Sequence, residues 1–206
     1  MHDFSQGGIW AIGTTAAPNL TATIKNNFIF SASESTYNLV LEEGTNATAT
    51  GNVVIGGLDG ISIGAPEGSV TGNTVLGSDY GIVLVVDGVM VKSNNIYGTV
   101  YAAIDVDAAS LKVSAVENNT IKTVTNPSQG GGTGVELNCH KISSSQVHSN
   151  TFMDSNYGYG DAPAGFAGSN TYLGVLDKID LTSCTSSSVS SKSSAAARLR
   201  LLPQSH

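Results

Sequence analysis

Between Thr48 and Val85 the chain reads TATGNVVIGGLDGISIGAPEGSVTGNTVLGSDYGIVLV, and within it GNVVIGGLDGISI (51–63) is answered by GNTVLGSDYGIVL (72–84). Each copy carries an Asn, a short apolar pair, a turn and a Gly-Ile run. Working outward, the same Asn falls at Asn27, Asn52, Asn73, Asn94, Asn119, Asn150 and Asn170, at intervals of 25, 21, 21, 25, 31 and 20 residues. Three residues before it stands Ile24, Ala49, Val70, Val91, Val116, Val147 or Ala167. Two residues after it stands Ile29, Val54, Val75, Ile96, Ile121, Phe152 or Tyr172.

A second block accompanies each copy: GGIWAI at Gly7, YNLVL at Tyr37, DGISI at Asp59, YGIVL at Tyr80, YAAIDV at Tyr101, TGVEL at Thr133 and YGYGD at Tyr157. Apolar residues alternate within these blocks, the period of a strand with one buried face. No segment keeps a 3.6-residue apolar stripe for three turns. A repeat of this length, made of short strands and Gly/Asn corners, predicts an all-β solenoid in which each copy is one coil. Stacking the coils sets equivalent residues about 4.8 Å apart. An Asn at a sharp bend tolerates a left-handed backbone, and its amide can bond the amide of the next copy, so a buried column satisfies itself.

The blocks GNVVIGGLDGISI, GNTVLGSDYGIVL and VENNTIKTV (116–124) resemble the repeats of right-handed parallel β-helix proteins, the pectate-lyase-like superfamily, over about residues 4–181. The resemblance implies a right-handed, single-stranded parallel β-helix of about eight coils. It spans polysaccharide lyases, glycoside hydrolases, epimerases, phage tailspikes and non-catalytic adhesins, so it does not fix the chemistry. Residues 1–181 are expected to form the β-helix, and residues 182–206 a Ser/Ala-rich tail with a short basic end.

Composition narrows the partners. A formal net charge of −7 with nine Lys and Arg in all argues against nucleic acid. No apolar run reaches the roughly 18 residues of a membrane span. The first residues, MHDFSQGG, lack the regions of a signal peptide, so the chain is expected to be either intracellular or already processed. Asn-x-Ser/Thr patterns at Asn19, Asn46 and Asn118 lean toward a secreted or cell-surface protein. Cys139 and Cys184 can pair or remain thiols; the register sets them about two coils apart, beyond bridging distance unless the tail folds back. Open coil ends, with GGIWAI already in register near the start, are expected to invite pairing with another chain, so the chain is expected to be either a fragment or an oligomer.

Columns also show which side chains share a face. With one extra residue in YAAIDV, the outward column runs Trp10, Val40, Ser62, Val83, Asp105 and Glu136. Two positions on, it runs Glu42, Gly64, Val85, Asp107 and Asn138, with His140 close by. Asp105, Asp107 and Glu136 could hold Ca²⁺, or divide into an acid and a base, or form a solvated acidic face. In a lyase of this fold the calcium would neutralise a uronate carboxylate; in a hydrolase paired acids would protonate the leaving oxygen and activate water.

Further candidates are Lys141 and His140 as proton-transfer groups, His148 as a lesser one, and Tyr80 and Tyr101 with Asn138 as sugar contacts. The Tyr belong to a column Tyr37, Asp59, Tyr80, Tyr101, Thr133, Tyr157 that packing alone also explains. Lyase relatives use an Arg as base, yet the only arginines are Arg198 and Arg200 in the tail, leaving Lys92, Lys122 or Lys141 as substitutes within the coils. The hydrolase relatives' adjacent Asp pair with Gly-His-Gly is missing as well. Mixed outward columns set ice binding aside. On these residues the favoured reading is an extracellular polysaccharide lyase or glycoside hydrolase, with catalysis preferred and a polysaccharide or oligosaccharide as partner. The alternative is a non-catalytic carbohydrate-binding, adhesion or tailspike-like module.

Overall fold

Each repeat unit closes one turn of a triangular coil, and every strand pair between stacked turns is parallel. The computed structural model describes residues 7–12, 20–42, 45–108, 111, 115–124, 132–163, 166 and 169–179. Within them the strands fall into three parallel sheets of eight, six and seven strands. The first sheet runs from Gly7–Ala11 to Asp177–Ile179 and contains the Gly-Ile blocks. The second runs from Leu20–Lys25 to Val147–His148, and the third from Phe28–Phe30 to Thr171–Leu173. Six coils carry all three strands, a seventh contributes two and an eighth one, close to the expected eight. At the usual strand spacing the first sheet is roughly 34 Å long. The tail 182–206 lies outside the described residues, and so does most of the insertion at 123–134.

The core fills from three sides. Ile61, Ile82 and Ile104 come from the first sheet, Val70, Val91 and Val116 from the second, and Val75, Ile96 and Ile121 from the third, all fully buried. Burying a side chain of this size stabilises by about 1.5–3 kcal/mol. The recurrent Gly of the Gly-Ile run has a steric cause. A Cβ on Gly81 would stand 2.6 Å from Ile96 Cγ2 and 2.4 Å from the Ala103 carbonyl oxygen, so the third sheet's side chains occupy the space a side chain would need.

The Asn column forms as expected. Asn52 Nδ2 donates to Asn73 Oδ1 at 2.9 Å, Asn73 to Asn94 at 3.1 Å, Asn94 to Asn119 at 3.0 Å and Asn119 to Asn150 at 2.9 Å. Asn27 opens the run and Asn170 receives its last bond. Each Oδ1 also accepts the backbone N–H of the preceding Asn, as Asn94 Oδ1 does from Asn73 at 2.9 Å. The second amide hydrogen goes to the apolar residue three places before the preceding Asn, as in Asn94 Nδ2 to the Val70 carbonyl at 2.9 Å. That explains why the apolar position and the Asn travel together.

One expectation needs correcting. The left-handed residue is not the ladder Asn but the one before it: Asn26, Gly51, Gly72, Ser93, Asn118 and Ser149 all have positive φ. The bend is made there, by residues that tolerate the conformation, and the following Asn turns its amide inward. Another left-handed corner follows the third sheet at Gly56, Gly77, Gly98, Asp154 and Gly174.

Candidate functional site

The carboxylates singled out from the sequence gather at the C-terminal edge of the first sheet. Register pairs Asp105 with Val83 on one side and Glu136 on the other, and Glu136 with Gly160. The extra residue is where it was placed, since Tyr80 pairs with Ala102 and Ile82 with Ile104. Its consequence for the aromatic column was missed: Ala102, not Tyr101, stands in register between Tyr80 and Thr133.

Asn138 joins two of the acids. Its Nδ2 donates to Asp105 Oδ1 at 2.7 Å and to Asp107 Oδ1 at 3.3 Å, with the Val106 carbonyl at 3.2 Å. Asp105 is only 5% exposed, and Val40, Ser62 and Val83 along its column are at most 1% exposed, so the column expected to face outward is buried there, while Asp107, Glu136 and Asn138 are half-buried. Glu136 folds its carboxylate over Gly160, where a Cβ would collide with Glu136 Oε2. The missing side chain on the next coil is the room the carboxylate uses.

A Ca²⁺ ion takes six to eight oxygen ligands. The Asn138 amide turns hydrogens toward both aspartates, where a cation would need lone pairs. Among the described residues no three of His, Cys, Asp and Glu gather as a ligand set.

His140 and Lys141 leave the cluster through a tight reversal. Asn138 and Cys139 both take positive φ, and His140 N–H donates to the Leu137 carbonyl at 3.0 Å. No ion pair ties Lys141 or His140 to the carboxylates among the described residues. Cys139 is disulfide-bonded, against the spacing argument; Cys184 lies outside the described residues, as do Arg198 and Arg200. His148 sits on the second sheet instead, with Nε2 3.5 Å from Glu117 Oε2 and Nδ1 2.9 Å from Ser149 Oγ. Lys92 holds the other Glu117 oxygen at 2.8 Å.

At the opposite, N-terminal edge of the same sheet, roughly 10 Å from the Asp105 register along the strand, Tyr80 and Tyr101 meet with ring centroids 5.4 Å apart and planes tilted by 30°. Tyr101 is 43% exposed. Beside them lies a feature that sequence reasoning missed. Partial burial, and then the negative charge of Glu34, raise the Asp79 carboxyl above its ordinary value. The signal was present in the adjacency of Asp79 to Tyr80 and in the Glu of the insertion SASEST (31–36), but only the coil geometry brings the two acids together.

A family described as right handed beta helix region matches residues 7–173. The chain belongs to that family. Handedness and solenoid architecture follow, in agreement with the resemblance to the pectate-lyase-like superfamily. Right-handed β-helices host both carbohydrate-active and structural proteins, so membership leaves the chemistry to be argued from the residues. No curated protein and no solved structure matches the chain.

Proposed function

We propose that the protein is an extracellular, non-catalytic carbohydrate-binding β-helix module that holds a polysaccharide or oligosaccharide at the N-terminal edge of its first sheet. The Tyr80–Tyr101 pair carries this reading: two rings in contact, one largely exposed, offer π faces to the C–H faces of sugar rings. Asp79 and Glu34 would accept hydrogen bonds from sugar hydroxyls beside that platform. A disulfide at Cys139 and exposed Asn46 and Asn118 in acceptor patterns support an oxidising, secreted setting.

The lyase or hydrolase reading centred on Asp105, Asp107 and Glu136 has less support. General acid–base work needs carboxylates that reach the substrate. Asp105 is buried under the Asn138 amide, and no ion pair among the described residues links His140 or Lys141 to it. The cluster is better read as a pin between adjacent coils.

Calorimetric titration of neutral and uronate oligosaccharides, with the same samples followed for unsaturated products and new reducing ends, tests both readings. Saturable binding without turnover, weakened about tenfold by Tyr101→Ala, is the expected result. Turnover lost in Asp107→Asn would reverse the assignment.

A further inference from the structure

The third sheet presents an outward face that neither the coil core nor the first-sheet edge uses. Its inward residues fill the core, and the alternate positions form two parallel columns. One runs Phe30, Ile55, Leu76, Tyr97, Lys122, Met153 and Leu173, apolar but for the lysine. The neighbouring column opens with Phe28 and Val53 and continues as Thr74, Asn95, Thr120, Thr151 and Thr171. Phe28 is 57% exposed, Phe30 36% and Leu173 52%. Between these end strands Ile55, Leu76, Tyr97 and Met153 are half-buried, and a continuous run of partly exposed large side chains is the kind of patch that marks a binding surface.

Three properties select the occupant. The first is charge: the single charged side chain in either column, Lys122, is neutralised by Asp154 at 2.8 Å, so the face attracts neither sign. The second is area: one column, apolar but for Lys122, seven coils long and one side chain wide offers roughly 350 Å², well short of the about 800 Å² per partner of a standard protein interface. A long, narrow ligand suits it better than a second copy. The third is pattern: the apolar column runs beside a column of hydroxyls and an amide, and both repeat at the coil spacing, which is close to the length of one sugar ring in an extended chain.

We infer that the outward face of the third sheet is a second glycan platform, one that takes an extended, uncharged polysaccharide lengthwise along the rod. The apolar column packs against ring C–H faces, and Thr74, Asn95, Thr120 and Thr151 hydrogen-bond the equatorial hydroxyls along one edge. This rests on the reading of the protein as a carbohydrate binder, but on a different surface from the Tyr80–Tyr101 edge.

Amide spectra of the full chain, titrated with cellohexaose and separately with hexagalacturonate, test it. The expected result is cellohexaose-dependent shifts at Thr74, Leu76, Asn95 and Tyr97, unchanged at high salt, with no such shifts from the uronate. The double variant Leu76→Thr/Tyr97→Thr keeps β-forming residues on the strand and is expected to weaken cellohexaose binding about tenfold or more. Shifts confined to Tyr80 and Tyr101 overturn the inference and leave the first-sheet reading standing. Third-sheet shifts that follow protein concentration without glycan, with a doubled mass in light scattering, assign the face to a second copy and overturn it. No shifts with either sugar overturn both. The wild-type map alone decides the matter if the variant fails to fold.

Discussion

Two polar clusters hold neighbouring coils together, and they do it in opposite ways. In the ladder at the corner before the third sheet, each interior amide has every hydrogen and its oxygen engaged, and Asn52, Asn73, Asn94, Asn119 and Asn150 are at most 1% exposed. At the C-terminal edge of the first sheet, one amide, Asn138, serves two aspartates, and a glutamate borrows the space above a glycine. The first arrangement repeats because an amide is both donor and acceptor and so pairs with itself. The second cannot repeat, because a carboxylate only accepts and needs a different partner. A self-complementary group builds a column, while an unlike pair builds a single pin.

The largest effect should come from the ladder. Asn94→Ala removes the acceptor for both Asn73 amide groups and leaves the Val70 carbonyl without its donor, in a fully buried setting. Each buried group orphaned costs about 1–3 kcal/mol, so a loss of roughly 3–5 kcal/mol is expected in urea unfolding. The adjacent Ser93→Gly should act the other way, raising stability by up to about 1 kcal/mol, because Ser93 sits at φ 57° and glycine takes that conformation freely. If Ser93→Gly and Asn94→Ala proved equally harmful, the division of labour between bend and ladder would be wrong.

A smaller loss is expected at the pin. Asn138→Ala takes the shared donor from Asp105 and Asp107, and hydrogen bonds to charged groups are worth about 1.5–3 kcal/mol. Asn138→Leu, which keeps the bulk but not the donor, should lose about as much. Comparing the melting temperatures of the two variants separates the lost donor from a simple packing defect, which Leu would largely repair.

The smallest effect belongs to Asp79 at the Tyr edge. Its carboxyl is raised in the folded protein from 3.8, first by burial and then by Glu34. The folded state therefore binds this proton more tightly than the unfolded chain does. The group's contribution is most favourable below the ordinary carboxylate range and declines as pH rises through it. Asp79→Asn should flatten that part of the stability profile and raise the melting temperature slightly at neutral pH. An unchanged profile would mean that neither burial nor Glu34 perturbs Asp79.

Legibility followed the same divide. The ladder, the strand alternation and the sheet registers repeat, so seven imperfect copies reinforce one another, and even the extra residue before Ala102 could be placed. The bend was assigned one residue late because Gly, Asn and Ser share that position, which blurs it in the sequence, whereas the Asn beside it is invariant within the chain. The acidic cluster was legible only as proximity. That Asp105 is buried, that Asn138 divides its hydrogens between two acids, and that Glu136 rests over Gly160 depend on side-chain directions at one place in the rod, which no second copy reports. The Asp79–Glu34 pair was invisible for the same reason, since it joins two turns that lie two coils apart in the chain.

The ladder also gives the rod a direction. Every link donates toward the C-terminus, and at that end the Asn170 amide donates to the Tyr159 hydroxyl, which is packed among Phe152 and Phe166. At the other end Asn27 gives its hydrogens to Asn52 and to the Lys25 carbonyl, while its own Oδ1 receives none from the described residues. The seam is therefore plugged behind and open in front. A coil grafted ahead of Asn27 with its own Asn in phase would find a waiting acceptor, whereas one grafted after Asn170 would first have to displace an aromatic stopper. Lengthening this scaffold, by gene duplication or by engineering, has a preferred end.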